Sequence, residues 1–219
     1  MELIERMSYN IALKIGSKTN KTNEEIEVIN YGVFVIIHTI IALILTALTG
    51  YIIRKPIQII IITIISASLK RYSGGVHATS PNRCLIIGIL ISLISVYISE
   101  ILFKYNNSIN LIIISLISIF LSIIIFYKKA PVGNKNKPLK KVETRNIMRK
   151  KLFFLLKIYY ISILVFSIMI LNGSLTVKYV KYIYCIQLGV LLQAFSITNI
   201  GEVIVLKLDE ILNNIKKVD

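Results

Sequence analysis

Histidine and cysteine are scarce in this chain: its 219 residues hold two of each, His38, His77, Cys84 and Cys185. Four such residues, so scattered, form no ligand-spaced metal cluster, and two cysteines, one inside an apolar run, make no disulfide framework. Charge is also sparse. Charged residues make up 17% of the chain, apolar residues 55%, and the mean hydropathy is +0.74. Soluble domains carry about 25% charged residues, so a soluble globular protein is excluded. The length suits one helical bundle without an added soluble domain. Acidic residues are outnumbered 26 to 11, leaving a net charge of +15. That excess lies in loops between apolar runs, where anionic lipid and a topology signal explain it better than nucleic acid. A cleavable signal peptide is not expected, because Glu2 and Glu5 occupy the N-terminus and the first long apolar run begins near Tyr31.

Six apolar runs organise the remainder, at 31–53, 57–69, 85–103, 109–126, 152–171 and 182–200. Five are close to the ~20 residues that cross a bilayer. The second, which follows the break at Arg54-Lys55-Pro56, gives only about 20 Å of helix against a ~30 Å hydrocarbon core. Residues 1–15 place Ile4, Met7, Ile11 and Ile15 on one helical face. Gly16 is expected to end this short amphipathic helix, which lies at the interface, packs on a neighbour or faces solvent. Thr22 and Glu25 form a capping-box pattern for the next helix. Residues 201–219 carry an apolar stripe of Ile204, Leu208, Ile211, Leu212 and Ile215, with Asp209 and Glu210 outside it. The expected fold is an all-α integral membrane protein with about six transmembrane helices, the second short, plus the N-terminal amphipathic helix. Residues 1–219 read as one membrane-embedded domain.

Lysine and arginine set the expected orientation. With both termini cytoplasmic, segments 1–30, 70–84, 127–151 and 201–219 hold 20 of them, the outer turns hold five, and Lys157 lies within a run. The bias places both termini and the 70–84 segment on the cytoplasmic side. Ten of the 20 lie in the hydrophilic loop 127–151, where Pro131 and Pro138 oppose regular structure. That loop serves topology, and its charge could also attract an acidic peptide or anionic headgroups.

The polar island Arg71-Tyr72-Ser73-Gly74-Gly75-Val76-His77-Ala78-Thr79-Ser80-Pro81-Asn82-Arg83-Cys84 is the candidate site. A continuous helix would separate His77 from Cys84 by roughly 10.5 Å of rise, too far for a base to reach a thiol. Gly74, Gly75 and Pro81 argue for a turn that folds His77 back over Cys84. Ser80 suits an N-cap and Pro81 the first helical position, so Cys84 falls in a first helical turn. The helix dipole there, with Arg83 alongside, favours a thiolate, and the free backbone N–H groups suit an oxyanion. The plainer alternative is a loop histidine and a small apolar cysteine.

Other residues carry weaker signals. His38, inside an apolar run, is a candidate by its position or an interhelical hydrogen-bonding partner. Cys185 reads as structural. Glu100 lies near the outer end, far from the expected site, and Glu202 orients His77 only if the fold brings it close. Gly50 and Gly189 read as packing positions.

The pattern Arg71, Gly74-Gly75-x-His77-Ala78, then six residues to Cys84 resembles the accessory gene regulator B family, membrane peptidases of Gram-positive quorum sensing. The N-terminal amphipathic helix, the number of spans and the lysine-rich loop beginning Ala130-Pro131 extend that resemblance over the chain. It implies a membrane cysteine endopeptidase of the bacterial plasma membrane that removes the C-terminal tail of a short AgrD-like propeptide. Cys84 would be the nucleophile and His77 the general base. An internal cysteine or serine of the peptide would then attack the thioester, giving a thiolactone or lactone without any cofactor. Arg71 would contact a propeptide carboxylate, Gly75 would allow close backbone approach, and a homodimer is suggested. The rival reading, a small-peptide transporter or scaffold, would carry polar residues near mid-membrane in paired broken helices. Here such residues are sparse, His38 and Gln193 being the clearest.

Overall fold

The computed structural model describes residues 2–133 and 141–215, which form eight α-helices and one 3₁₀ turn with no strand. The middle of the basic loop, residues 134–140, lies outside the described residues, as do the last four. The chain divides into two compact units, Met1–Thr49 and Gly50–Asp219.

The first unit contains α1 (Glu2–Lys18) and most of α2 (Asn23–Ile52). The capping box forms as its sequence demands: Glu25 N–H donates to Thr22 Oγ1 at 3.3 Å, and Thr22 N–H donates to Glu25 Oε2 at 3.0 Å. Gly16 does not end α1, which runs one half-turn further. A Cβ on Gly16 would lie 2.4 Å from Ile26, so its bare backbone instead permits a close approach to the start of α2. Met7, Ile11 and Ile15 are exposed, as are most apolar residues of α2. Such a surface requires a membrane environment.

The second unit is built around α7 (Val180–Ser196), against which α3 (Pro56–Ser73), α4 (Pro81–Lys104), α5 (Ser108–Lys129), α6 (Val142–Leu171) and α8 (Asn199–Ile215) pack. Gly189 brings α7 against α3: a Cβ there would lie 3.0 Å from Ile65 Cβ. Ile65, Leu69, Phe126, Leu152, Leu156, Val190 and Ala194 form the core at the end nearest the candidate site. Cys185 is packed among Ile59, Ile62 and Val96, the structural role its surroundings suggested. Between apolar helices, where burial gives no drive for association, polar side chains supply specific ties. Gln187 donates to Ser115 Oγ at 2.7 Å, and the hydroxyls of Ser122 and Tyr160 lie 2.8 Å apart. Glu100 pairs with Lys55 at 2.7 Å and accepts from Gln58, which commits it to the α3–α4 contact.

The number and ends of the helices differ from the sequence expectation in three places. Four helices, α2, α4, α5 and α6, are long and apolar enough to cross a membrane, and α7 with α8 makes a fifth if that bent pair is one span. The count of six is not confirmed among the described residues: α3, whose last turn carries Lys70 and Arg71, is not one of these helices. The run 182–200 is also not one helix. It breaks after Ser196 and turns through 87°. Thr198 Oγ1 accepts from Gly201 N–H at 3.1 Å, and a Cβ on Gly201 would lie 2.1 Å from the Phe195 carbonyl oxygen, so the corner requires glycine. Finally, the basic loop is shorter than 127–151, since α6 begins at Val142. No proline follows Pro138, and Arg149 anchors this amphiphilic start by donating to the Tyr127 carbonyl at 3.0 Å.

Candidate active site

The α3–α4 connection leaves the helix through two glycines. Gly74 adopts φ +71° and Gly75 φ +123°, a region that side chains with a Cβ avoid. At Gly74 the space is closed as well: a Cβ would lie 1.9 Å from the carbonyl oxygen of Val132. That contact arises because the segment after α5 pairs with the turn, Val132 N–H donating to Ser73 O at 2.8 Å. From beneath, Gln193 Nε2 donates to Ser73 Oγ at 2.7 Å and to Gly74 O at 3.0 Å. Gln193 had stood out only as a polar residue in an apolar run. Its role is to satisfy the backbone where α3 unravels.

The turn brings His77 back over the next helix as expected. His77 Nδ1 lies 3.9 Å from Cys84 Sγ. A productive proton transfer needs about 2.6–3.2 Å between heavy atoms, and such contacts commonly shorten only when substrate is bound. Cys84 is partly buried in the first turn of α4. Ser80 occupies the N-cap position with an extended backbone, but its side chain makes no capping bond, contrary to expectation. Cys84 N–H is already committed to Ser80 O at 2.9 Å. The N–H groups of Asn82 and Arg83 precede the first intrahelical bond and have no partner among the described residues. These two are the donors left for an anion.

His77 is exposed at a cavity of about 710 Å³, whose walls include Thr79, Val132, Ser196, Glu202 and Leu206. Desolvation by the surrounding protein, assisted by the positive charge of Lys70, pushes the imidazole pKa down from 6.5 to about 4. The ring is therefore neutral at neutral pH, the form able to accept a proton. An unfolded chain protonates this histidine near 6.5 and the folded one only near 4, so acidification through that window reduces stability. Replacing Lys70 with glutamine is expected to raise the His77 pKa. Any acid limb of activity that reports His77 would then move to higher pH, as would its NMR titration midpoint. An unchanged midpoint would show that the Lys70 charge is not felt.

The supporting residues are placed differently from the expectation. Gly75 is buried beneath the turn, 3.2 Å separating a Cβ there from Ile197, so it serves packing of the loop. Arg71 is exposed, with its guanidinium 5.8 Å from the centre of the Tyr72 ring. Arg83 does not stand free beside the thiol. Its Nε donates to Asp209 Oδ1 at 2.6 Å, and Nη1 to Asn213 Oδ1 at 3.1 Å. Asp209 was expected on the polar side of an amphipathic tail and is instead buried. Its sequence surroundings contain no sign of this, because the partners are about 130 residues away. Glu202 does share the cavity wall with His77. Glu100 does not reach it, and His38 lies in the first unit, stacked on Phe34 with Nε2 unpartnered among the described residues.

A thiol and an imidazole facing each other just after a Gly-Gly turn, in a chain of apolar helices, mark a recognisable arrangement. The family model for Accessory gene regulator B matches residues 8–197. The chain belongs to the accessory gene regulator B (AgrB) family. Two relatives from Clostridium perfringens are named AgrB-like proteins. That of strain SM101 is 32% identical over 215 residues and that of strain 13 is 31% identical over 214, each match covering 97% of this chain and all of the relative. No solved structure matches. Membership in the AgrB family assigns the chain a role in the accessory gene regulator quorum-sensing system. The four or more spanning helices make this AgrB family member a multi-pass membrane protein.

Proposed function

We propose that the chain is a membrane-embedded cysteine endopeptidase that removes the C-terminal tail of an AgrD-like propeptide. The observation that carries this reading is the approach of His77 Nδ1 to Cys84 Sγ at the start of α4. His77 takes the thiol proton as Sγ attacks the scissile carbonyl, and the Asn82 and Arg83 N–H groups face the developing oxyanion. As the C–N bond breaks, the imidazolium returns the proton to the departing amine of the tail. The N-terminal portion of the peptide is left as a thioester on Cys84. An internal thiol or hydroxyl of the peptide then attacks that thioester, closing a thiolactone or lactone and restoring the Cys84 thiol. The thioester is an activated acyl group, so its exchange onto the internal thiol or hydroxyl closes the ring without a cofactor.

The excess of lysine and arginine in segments 1–30, 70–84, 127–151 and 201–219 supports a site open to the cytoplasm, where a thiol stays reduced. Full-length protein in lipid nanodiscs, incubated with an AgrD-like propeptide, is expected to yield a hydroxylamine-labile adduct on Cys84 with the mass of the N-terminal portion. A Cys84→Ala variant that still cleaves the peptide would overturn the reading. Arg71, exposed near the site, would pair with a carboxylate of the tail. Reversing that peptide charge is then expected to slow wild type more than Arg71→Ala, and equal slowing would exclude the contact.

A further inference from the structure

The His77–Cys84 turn has few ties of its own. Among the described residues, none from Val76 to Thr79 joins a backbone–backbone hydrogen bond, and Ser80 supplies no side-chain cap. Val132 and Gln193 tie the turn's glycine end, and the part from Thr79 to Arg83 is held by α8, which begins at Asn199, beyond the residues 8–197 that match the family model.

The contact centres on one carboxylate. Asp209 is 5% exposed and both of its oxygens are bound. Oδ2 accepts from the Thr79 N–H at 3.0 Å and from the Thr79 hydroxyl at 2.8 Å, while Oδ1 accepts from Arg83 Nε at 2.6 Å. Arg83 closes the ring by donating Nη2 to the Thr79 hydroxyl. Thr79 follows His77 by two residues, and Arg83 immediately precedes Cys84. A single side chain on α8 thus grips both the loop segment that carries the base and the helical turn that carries the thiol. Stability alone is a weak reason for such an arrangement, since a buried ion pair gains little over an apolar pair of the same volume. What charge-assisted bonds to a planar guanidinium do supply is fixed geometry.

We propose that Asp209 is a positioning residue for the Cys84–His77 dyad, acting through Thr79 and Arg83, so that α8 is part of the catalytic apparatus. The proposal rests on the thiol-peptidase reading. It matters because the dyad stands 3.9 Å apart before substrate binds. A loop released by about 1 Å can cost about 10²-fold in rate.

The test uses the full-length protein in nanodiscs and combines Asp209→Ala, Asp209→Asn and His77→Ala, singly and as double variants. Two rates are followed: propeptide cleavage, and alkylation of Cys84 by a small soluble iodoacetamide at about pH 7, below the ordinary thiol pKa. Asp209→Ala is expected to lower kcat by about 10²-fold with little change in KM. His77→Ala is expected to slow alkylation of wild type but to have no further effect in the Asp209→Ala background. A residue that merely stabilised the fold would not abolish that coupling. Asp209→Asn retains acceptors for Thr79 and loses the charge facing Arg83, and an intermediate loss is expected. Should Asp209→Ala fail to fold, this variant decides by the same coupling. Wild-type kcat and an intact His77 effect in a folded Asp209 variant would overturn the positioning role alone. Cleavage that survives Cys84→Ala would instead overturn the peptidase reading, and the positioning role with it.

Discussion

Cys84→Ala is expected to lower propeptide cleavage by about 10³-fold or more, and His77→Ala by about 10²–10⁴-fold, with both proteins remaining folded in the membrane. The chemistry explains the difference in size. On the proposed peptidase reading, no acyl intermediate forms without the thiol, and only water attacking a positioned carbonyl remains. Without the imidazole the thiol can still lose its proton to solvent, so some nucleophile persists at high pH. His77→Ala activity should therefore recover in part as pH rises, whereas Cys84→Ala activity should not. Both residues lie in or beside a turn rather than the core, and neither substitution removes a buried partner of the helices. Cys185 gives the control. Packed among Ile59, Ile62 and Val96, it is remote from this chemistry, and Cys185→Ala should keep turnover near wild type. The measurement is the rate of tail release by purified variants, compared over pH. Equal rates for wild type and Cys84→Ala would remove the thiol from the mechanism.

Gly74→Ala should be the most damaging substitution among the residues that only shape the turn. Two independent effects add. Holding a residue with a side chain at φ +71° costs about 1–3 kcal/mol. The new methyl would also stand 1.9 Å from the Val132 carbonyl oxygen, a backbone atom that no rotamer change can move away. Relief requires separating the turn from the Pro131–Val132 segment, which breaks the 2.8 Å bond from Val132 N–H to Ser73 O. The expected result is a lower melting temperature in nanodiscs together with loss of cleavage. Gly75→Ala should do less harm. Its φ of +123° is also strained, but the nearest obstacle is a side-chain methyl of Ile197 at 3.2 Å, which can shift. A Gly74→Ala variant as stable and active as wild type would show that the turn has freedom the structure does not display.

Long-range contact was what the sequence could not reveal at this site. The pair His77 and Cys84 was legible because it is local. A short stretch containing a proline, and preceded by two glycines, can return upon itself, and the first turn of a helix is recognisable from Ser80-Pro81. Asp209 was illegible for the opposite reason. Its neighbours Leu208, Ile211 and Leu212 define an apolar stripe, and a carboxylate beside that stripe ordinarily faces water. Only the packing of α8 on α4 gives it Thr79 and Arg83 as partners. Arg83 was misjudged by the same omission, since adjacency to Cys84 in sequence says nothing about where a long side chain finds its counter-ion. Gln193 and Glu202 were visible as polar residues, yet Gln193 reaches the turn only because α7 packs on α3, and Glu202 only because of the corner after Ser196. That corner is built from Thr198 and Gly201 inside what hydropathy presents as one continuous run.

The sequence by itself determined the class of this protein. Apolar runs of bilayer length, little charge and basic residues gathered between the runs dictate a helical membrane protein, because backbone polar groups in lipid must be satisfied within each segment. It also placed His77 and Cys84 in one local turn and, through the motif around it, pointed to the family. Tertiary structure alone decided which helices need lipid and which are enclosed by others. α7 is enclosed by its neighbours, whereas α2 exposes most of its apolar residues and α3 keeps Ile57 and Ile64 exposed. Tertiary structure also decided what holds the reactive turn: Val132 against Gly74, Gln193 beneath it and Asp209 across it. The physical reason is common to all three. Hydropathy and turn propensity act on neighbours along the chain, whereas hydrogen bonds and ion pairs select partners by where the packed helices place them.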